Sequence, residues 1–215
     1  MSYSQTPTWS ARRSARGGAR QRVTVKRLGA GLAVLVLLVV GVELLSPLIG
    51  GTIQSLTLPL NDASVIRTQA AQKHLDPALI AAVIYAETKF EPRESAAGAL
   101  GLMQLLPETA SFIAHSTGGV EFTTGDLATP SVNVAYGSWY LRYLLEHYGG
   151  EELPAIAAYN AGLGHVDEWV AKAREEGRAL QASEIPYPET KAYVERVLWA
   201  QQAYRTTYPQ QLGLG

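Results

Sequence analysis

The chain has 215 residues, of which 47% are hydrophobic and 17% are charged. This composition excludes a disordered protein and allows one domain of ordinary size together with an additional segment. The absence of cysteine excludes a disulfide framework and a thiolate metal site, and the net charge of −1 favours no polyanionic partner.

The N-terminal segment is strongly basic. Residues 1–27 contain seven arginines and lysines and no acidic residue. We predict that this segment is a disordered cytoplasmic tail. A basic tail can bind nucleic acid, but beside an apolar segment it is better explained as a determinant of membrane orientation. No nucleic-acid partner is therefore expected.

An apolar run follows at residues 28–50, LGAGLAVLVLLVVGVELLSPLIG, with Glu43 as its one charged residue. About 20 such residues suffice for a helix to cross the hydrocarbon core of a bilayer. Because basic residues precede the run, we predict a single-pass transmembrane signal anchor in the cell membrane, with the rest of the chain on the outer side. The alternatives are a cleavable signal peptide, for which the run is long, and a buried core helix. Residues 51–60 are interpreted as a tether.

From Asn61 onward helical patterns dominate, and no convincing series of strands is present. Asp62 and Asp76 are candidate helix caps, and Pro77 suits a first helical position. Residues 61–209 are therefore predicted to form one compact all-α domain, followed by a tail at 210–215. The predicted helices cover residues 62–74, 77–88, 107–114, 131–148, 154–160, 166–176 and 189–208.

Glu87 ends a run that is otherwise apolar, LIAAVIYAE. An inward carboxylate without a partner shifts toward its protonated form, which is the form that a general acid needs. The alternative is a glutamate at a helix end whose carboxylate reaches water or caps another segment. The apolar residues that share a predicted helix face with Glu87 are Leu79, Ile80, Val83 and Ile84.

A loop of small residues follows, SAAGALG at residues 95–101, and such a loop lets a ligand approach the backbone closely. Gln104 then lies beside Met103 in an apolar segment. An amide next to an apolar surface suits a sugar, which needs both hydrogen bonds and a platform for its ring. Gln104 could equally satisfy the backbone of the loop. Further on, Tyr159 and Asn160 in AAYNAG offer two more hydrogen-bonding groups at a predicted helix end.

Together, ETKFEPRESAAGALGLMQLLPETA and AAYNAGLGHVDEW resemble the soluble lytic transglycosylases, a family of peptidoglycan-cleaving enzymes. The resemblance covers about residues 61–209, including IPYPETKAYVERVLWAQQAY, and implies a goose-type-lysozyme-like multi-helix domain. It implies that Glu87 is the catalytic acid. The residues that match substrate-binding positions of the family are Ser95, Gly101, Leu102, Met103, Gln104, Tyr159, Asn160 and Tyr193.

Two positions depart from the family pattern. Thr88 replaces the usual serine, which keeps the hydroxyl group and adds a methyl group. The segment PRES, residues 92–95, is one residue shorter than the common form, so the match defines Glu87 better than it defines Ser95.

Ordinary glycosidases use two carboxylates, and the sequence shows no second one in an apolar context. Glu91, Glu94, Glu108 and Asp126 are interpreted as surface or capping residues. The resemblance implies that one glutamate acts twice, first as acid and then as base. The β-1,4 bond between N-acetylmuramic acid (MurNAc) and N-acetylglucosamine (GlcNAc) is then cleaved with formation of 1,6-anhydromuramic acid, without water, metal or cofactor.

Three alternatives stay open at this point. The protein could be a muramidase-type hydrolase of the same fold, a non-catalytic peptidoglycan-binding protein, or a membrane-anchored protein that uses the groove for peptides. The expected partners are peptidoglycan glycan strands and the membrane, and no protein partner is predicted. The four histidines show no metal-ligand spacing.

Four aromatic residues are assigned to the core, because an aromatic stripe at helical spacing is more often core than binding surface. This interpretation covers Tyr136 and Tyr140 on the predicted helix 131–148, together with Trp169 and Trp199.

Overall fold

The structure is a computed structural model that describes residues 58–118 and 122–215. The predicted tail at 1–27, the predicted anchor at 28–50 and most of the predicted tether lie outside the described residues. Within the described ranges, no helix is both long and apolar enough to cross a membrane. The membrane anchor therefore stays a prediction.

The described part of the chain is almost entirely helical, which confirms the predicted all-α class. Two short 3-10 turns, Thr124–Ala128 and Ala182–Glu184, connect longer elements. The α-helices in this part are α1 (Ala63–Lys73), α2 (Pro77–Thr88), α3 (Pro107–Thr117), α4 (Pro130–His147), α5 (Glu152–Ala161), α6 (Leu163–Glu175), α7 (Pro188–Thr207) and α8 (Pro209–Leu212).

Most helices begin where the local sequence favours a helix start. Asp76 accepts a hydrogen bond from the backbone N–H of Ala78 at 3.0 Å, so its predicted capping role is confirmed. The prediction for Asp62 is wrong, because this residue has φ 54° and its side chain makes no capping hydrogen bond. A capping side chain normally reaches the helix from an extended backbone. Helix α5 begins two residues before Pro154, where the missing N–H of proline costs no helical hydrogen bond.

A short pair of antiparallel strands interrupts the helices, which the sequence did not predict. Strand β1 (Arg93–Glu94) pairs with β2 (Leu100–Gly101). The turn between them is closed by hydrogen bonds from Ser95 N to Ala99 O and from Gly98 N to Ser95 O, both 2.9 Å. Two residues per strand are too few for the alternation of polar and apolar side chains that identifies a strand in sequence.

Helix α2 forms the centre of the core and packs most extensively against α7. Residues 78–84 are each at most 1% exposed, so α2 is covered on all sides and not on the predicted face alone. Full burial of one aliphatic side chain contributes about 1.5–3 kcal/mol, which makes α2 a rigid support. Glu87 lies in the last turn of this buried helix.

Candidate active site

Glu87 is half-buried, and its side chain contacts helix α7. The hydroxyl of Tyr193 donates a hydrogen bond to Glu87 Oε1 at 2.8 Å. Burial raises the pKa of Glu87 to about 7, although the Tyr193 hydrogen bond and the charges of Arg93 and Arg196 act in the opposite direction. The carboxyl group can therefore be protonated at neutral pH and can also ionise there.

The backbone turns away sharply after Glu87. Lys89 and Phe90 both adopt left-handed conformations, with φ 53° and 65°. Phe90 is 4% exposed, so its ring anchors this turn in the core. Arg93 then returns toward the helix, and its Nη2 donates to the backbone oxygen of Glu87 at 2.7 Å. These contacts fix the orientation of the last turn of α2 and bring a positive charge close to the carboxylate.

The loop that carries Leu102 and Met103 is held by hydrogen bonds from three helices. Thr88 Oγ1 donates to Leu102 O at 2.7 Å, and Tyr159 OH donates to Met103 O at 3.0 Å. The backbone N–H of Met103 donates to Asn133 Oδ1 at 2.8 Å. Leu102 and Met103 are themselves buried, at 2% and 0% exposure. Threonine in place of the family's usual serine at position 88 therefore keeps the hydroxyl group that bonds to this loop.

Gly101 is required by this packing. Its φ is +77°, and an added Cβ would lie 2.1 Å from Asn133 Nδ2 and 2.6 Å from Leu127 O. Asn133 is fully buried in α4, and its Nδ2 donates to Leu100 O and Leu127 O. No side chain fits between the loop and Asn133, so glycine allows the backbone to approach the amide.

Gln104 and Ser95 make local contacts that close the same loop. Gln104 Nε2 donates to Arg93 O at 2.7 Å and to Gly101 O at 2.9 Å, which is the loop-satisfying alternative considered for this residue. Ser95 Oγ accepts from Ala99 N at 3.0 Å. Their assignment to substrate binding stays a prediction.

Three more of the predicted site residues lie on two helices: Tyr159 and Asn160 at the end of α5, and Tyr193 in α7. Burial raises the pKa of Tyr159 well above 10, and the nearby charge of Glu87 adds to this effect. Asn160 is exposed, and its Oδ1 accepts from Thr190 Oγ1 at 2.8 Å. The structure thus brings both tyrosines to the glutamate. Asn160 follows Tyr159 at the end of α5.

Several supporting residues were missed by the sequence reasoning: Arg93, Asn133, Thr190 and Arg196. The signal available for Asn133 in the sequence was an amide in a predicted helix, followed by Gly137 one turn later. A Cβ on Gly137 would lie 2.4 Å from Met103 Sδ, so the pair marks a close approach to the loop. The arginines and Thr190 act over long sequence separations and carry no such local signal.

The other acidic candidates occupy surface or capping positions. Glu91, Glu94 and Glu108 are exposed. Asp126 Oδ2 accepts from the backbone N–H and the hydroxyl of Thr123, at 2.7 and 3.0 Å, and so caps a 3-10 turn. Among the described residues, no group of three or more histidine, aspartate or glutamate side chains could hold a metal ion.

The predicted core role of the aromatic residues is only partly correct. Trp199 is 54% exposed and contacts Tyr85 at 6.0 Å between ring centroids, so its assignment to the core is wrong. Tyr136, Tyr140 and Trp169 are half-buried. Long helices at the surface bury only part of each ring, which a periodic pattern alone does not reveal.

A family model described as the transglycosylase SLT domain matches residues 64–181, more than half of the chain. The chain belongs to the transglycosylase SLT domain family. Among curated relatives, the soluble lytic murein transglycosylase of Escherichia coli K12 is 31% identical over 150 residues, which are 68% of this chain and 23% of that protein. A membrane-bound lytic murein transglycosylase C of Glaesserella parasuis is 29% identical over 188 residues, 73% of this chain and 52% of that protein.

Solved structures of SLT-family proteins have the same fold. The 70-kDa soluble lytic transglycosylase of Escherichia coli has a TM-score of 0.68 at 27% identity, covering 75% of this chain and 26% of that chain. An inactive glutamate-to-glutamine mutant of the lytic transglycosylase Slt of Pseudomonas aeruginosa has a TM-score of 0.64 at 31% identity, covering 69% and 24%. These matches confirm the predicted family and the lysozyme-like helical fold. The chain spans about a quarter of the length of the soluble relatives.

Proposed function

We propose that the protein is a membrane-anchored lytic transglycosylase that cleaves peptidoglycan between MurNAc and GlcNAc. The observation that carries the proposal is the environment of Glu87, a half-buried carboxyl group with a pKa of about 7 on a rigid helix end. Membership of the SLT family supports the same activity, since the relatives are named as lytic murein transglycosylases.

The first step is proton donation by Glu87. Tyr193 OH occupies Oε1, which leaves Oε2 to carry the proton. Transfer of this proton to the glycosidic oxygen lets the bond between that oxygen and C1 of MurNAc break. GlcNAc leaves with a new hydroxyl group, and Glu87 becomes a carboxylate. The Tyr193 hydrogen bond and the charges of Arg93 and Arg196 stabilise that carboxylate.

The second step restores the enzyme. The Glu87 carboxylate removes the proton from the C6 hydroxyl of the same MurNAc, and O6 forms a bond to C1. The product is 1,6-anhydromuramic acid, and Glu87 is protonated again. The reaction consumes no water because O6 of the same MurNAc takes the place of a water molecule in the attack on C1. It needs no second carboxylate because Glu87 both gives and takes the proton.

Roles for the remaining predicted residues follow from their positions. Tyr159 and Gln104 hold the loop at residues 95–104, and Asn160 is exposed beside Tyr159. We assign this loop and the end of α5 to the walls of a glycan groove. The apolar run at 28–50 would anchor the domain in the cell membrane on the cell-wall side.

The decisive experiment compares the full chain with the Glu87→Gln variant on purified peptidoglycan. The released muropeptides are analysed by mass spectrometry. We expect products that end in anhydromuramic acid, lighter by one water than hydrolysis products, from the wild type alone. Ordinary reducing ends would instead establish a muramidase. Binding to peptidoglycan without release from either protein would establish a non-catalytic role.

A further inference from the structure

The chain enters the described domain at a point that the C-terminal helices hold firmly. Leu58 is fully buried, and its backbone oxygen accepts a hydrogen bond from Tyr208 OH at 2.8 Å. Tyr204 is also fully buried, and its hydroxyl donates to Pro59 O at 2.6 Å. The two tyrosine rings stack on each other, with centroids 6.0 Å apart. The entry point is therefore fixed beside the C-terminal end of α7.

The length of the preceding chain limits the distance between this entry point and a bilayer. Only residues 51–57 lie between the predicted span at 28–50 and Leu58. Seven residues reach at most about 25 Å when they are fully extended. The part of the domain around Leu58 is therefore the part that can reach the bilayer surface when residues 28–50 span it.

Two large apolar residues are exposed around the entry point. Trp199 on α7 is 54% exposed, and Leu214 is 40% exposed. The ring of Trp199 lies 6.0 Å from Tyr85, which lies 6.2 Å from Tyr204. The backbone N–H of Leu214 donates to the oxygen of Pro209, the first residue of α8, at 2.8 Å. Single exposed apolar residues are common on proteins, so the informative observation is that these two lie beside the entry point.

Each of the two apolar residues has an arginine close to it. Arg196 precedes Trp199 by three positions, so the two side chains share one face of α7. Arg67 lies against Gly213, the neighbour of Leu214, since an added Cβ on that glycine would be 3.3 Å from Arg67 Cδ. Tryptophan rings and arginine heads both favour the boundary between lipid and water, where apolar atoms are covered and the charge stays hydrated.

We propose that the surface formed by Trp199, Leu214, Arg67 and Arg196 contacts the outer leaflet of the membrane, with the Trp199 ring at the level of the lipid headgroups. The inference rests on the membrane anchor of the proposed function and adds a second membrane contact to it. Glu195 is exposed on the same helix. The apolar side chains, and not the net charge, therefore make the main contribution to this contact.

The contact determines how far the active site stands from the membrane. Tyr193, which bonds to Glu87, and Trp199 lie six residues apart on α7, which is about 9 Å along the helix axis. Because α7 is one continuous helix, contact at Trp199 keeps Glu87 close to the membrane surface. The enzyme then acts on glycan strands next to the membrane and not on distant layers of the wall.

The test uses the full chain in vesicles of phosphatidylcholine and phosphatidylglycerol, at a protein-to-lipid ratio low enough to separate single chains. Trp9 is replaced by phenylalanine in every sample, so that the N-terminal tail does not contribute to the emission. Lipids brominated on their acyl chains quench tryptophans that touch the bilayer. We expect Trp199→Phe to reduce this quenching roughly threefold, because an aromatic ring at the interface is the contact that the lipid reports.

Trp169→Phe is the matched control. Trp169 packs against Tyr187 at 5.1 Å, at the start of α7 and therefore at the opposite end of that helix from the entry point. The control should leave the quenching unchanged. Trp199→Phe should keep the fold, since the replaced ring is half exposed, and unfolding curves of both variants check this.

Two outcomes would overturn the inference. One is equal quenching with and without Trp199. The other is relief of the Trp199 quenching by a GlcNAc tetramer, which would make this ring part of a glycan site.

Failure of the proposed function gives different results. If residues 28–50 do not anchor the chain, an alkaline wash strips it from the vesicles, whereas the quenching before the wash still reports the contact at Trp199. If the proposed chemistry fails, peptidoglycan yields no anhydro products, while the difference between Trp199→Phe and Trp169→Phe persists.

Discussion

Helices α2 and α3 each carry a glutamate in a terminal turn, and the two carboxylates meet opposite conditions. Glu87 lies at the C-terminal end of α2, where the helix dipole is negative, and it is half-buried. Glu108 lies at the N-terminal end of α3, where the dipole is positive, and it is exposed. Burial raises the pKa of Glu87 to about 7.

This contrast shows that placement decides what a glutamate does. The end of α2 produces a group that exchanges a proton at neutral pH. The start of α3 produces a fixed negative charge beside aromatic rings. Neither property follows from the residue type, and each can be tested by changing one carboxylate while the other is kept.

The largest expected effect is on the pH dependence of cleavage. Because the reaction begins with protonated Glu87, kcat/KM should be level below its pKa of about 7 and should fall above it. The fall is about tenfold per pH unit, or roughly a hundredfold at pH 9. Rates of muropeptide release between pH 5 and pH 9 measure this. A rate that still rises at pH 9 would remove Glu87 as the acid.

The second-largest effect is expected on the free energy of unfolding when Glu87 is replaced. A carboxyl group whose pKa is raised on folding stabilises the folded state below its unfolded pKa, and this contribution is lost as pH rises through the folded value of about 7. Glu87→Gln does not titrate, so it should be more stable than the wild type by roughly 1–3 kcal/mol at pH 8 and nearly equal at pH 4. Urea denaturation at both pH values measures the difference, with Glu94→Gln as the exposed control. If the wild type and Glu87→Gln differed equally in their free energy of unfolding at both pH values, the argument that burial raises the pKa of Glu87 would be contradicted.

A smaller effect is expected for Tyr193→Phe. Its hydroxyl lowers the pKa of Glu87, so the variant should move the alkaline fall in rate to higher pH. The maximal rate should drop roughly tenfold, because the carboxylate formed in the first step loses a charge-assisted hydrogen bond. Tyr208→Phe removes a hydroxyl that bonds to Leu58 O, away from Glu87, and should leave the pH profile unchanged. Identical profiles for both variants would exclude Tyr193 as a positioning residue.

The smallest effect is expected for the stability of Glu108→Gln. An exposed carboxylate at a helix N-terminus contributes about 0.3–1 kcal/mol, and the cost should shrink in high salt. The alkaline fall in cleavage rate should stay at the same pH, since Glu108 carries no proton in the reaction. Denaturation at low and high salt measures the change in stability. A change in the free energy of unfolding as large as that expected for Glu87→Gln would contradict the contrast drawn between the end of α2 and the start of α3.

Much of the fold was predictable because its determinants are local. Prolines occupy the first or second positions of α2, α3, α4, α7 and α8, and Asp76 caps α2 as predicted. The strand pair at residues 93–101 was missed because it is too short to show a period. The exposure of Trp199 was also missed, since periodicity does not say how much of a ring a neighbouring helix covers.

The residues of the candidate site also divide into those that the sequence predicts and those that only the structure reveals. Glu87 was found from the sequence because one carboxylate ended an apolar run. For Gln104 the sequence allows two interpretations, and the structure shows its amide bound to the loop backbone. The buried amide of Asn133, which holds the same loop, was not identified.

The sequence by itself determined the starts of α2 and α3, that one face of α2 is buried, and that a carboxyl group stands at its end, because these properties depend on residues close together in the chain. Only the tertiary structure decided that Tyr193 reaches Glu87 across 106 positions and that Phe112 meets Tyr143 around a cavity. Such contacts depend on how helices pack, and packing distances of a few ångströms are not encoded in any local pattern. The same packing buries Glu87, which raises its pKa, and shapes the cavity.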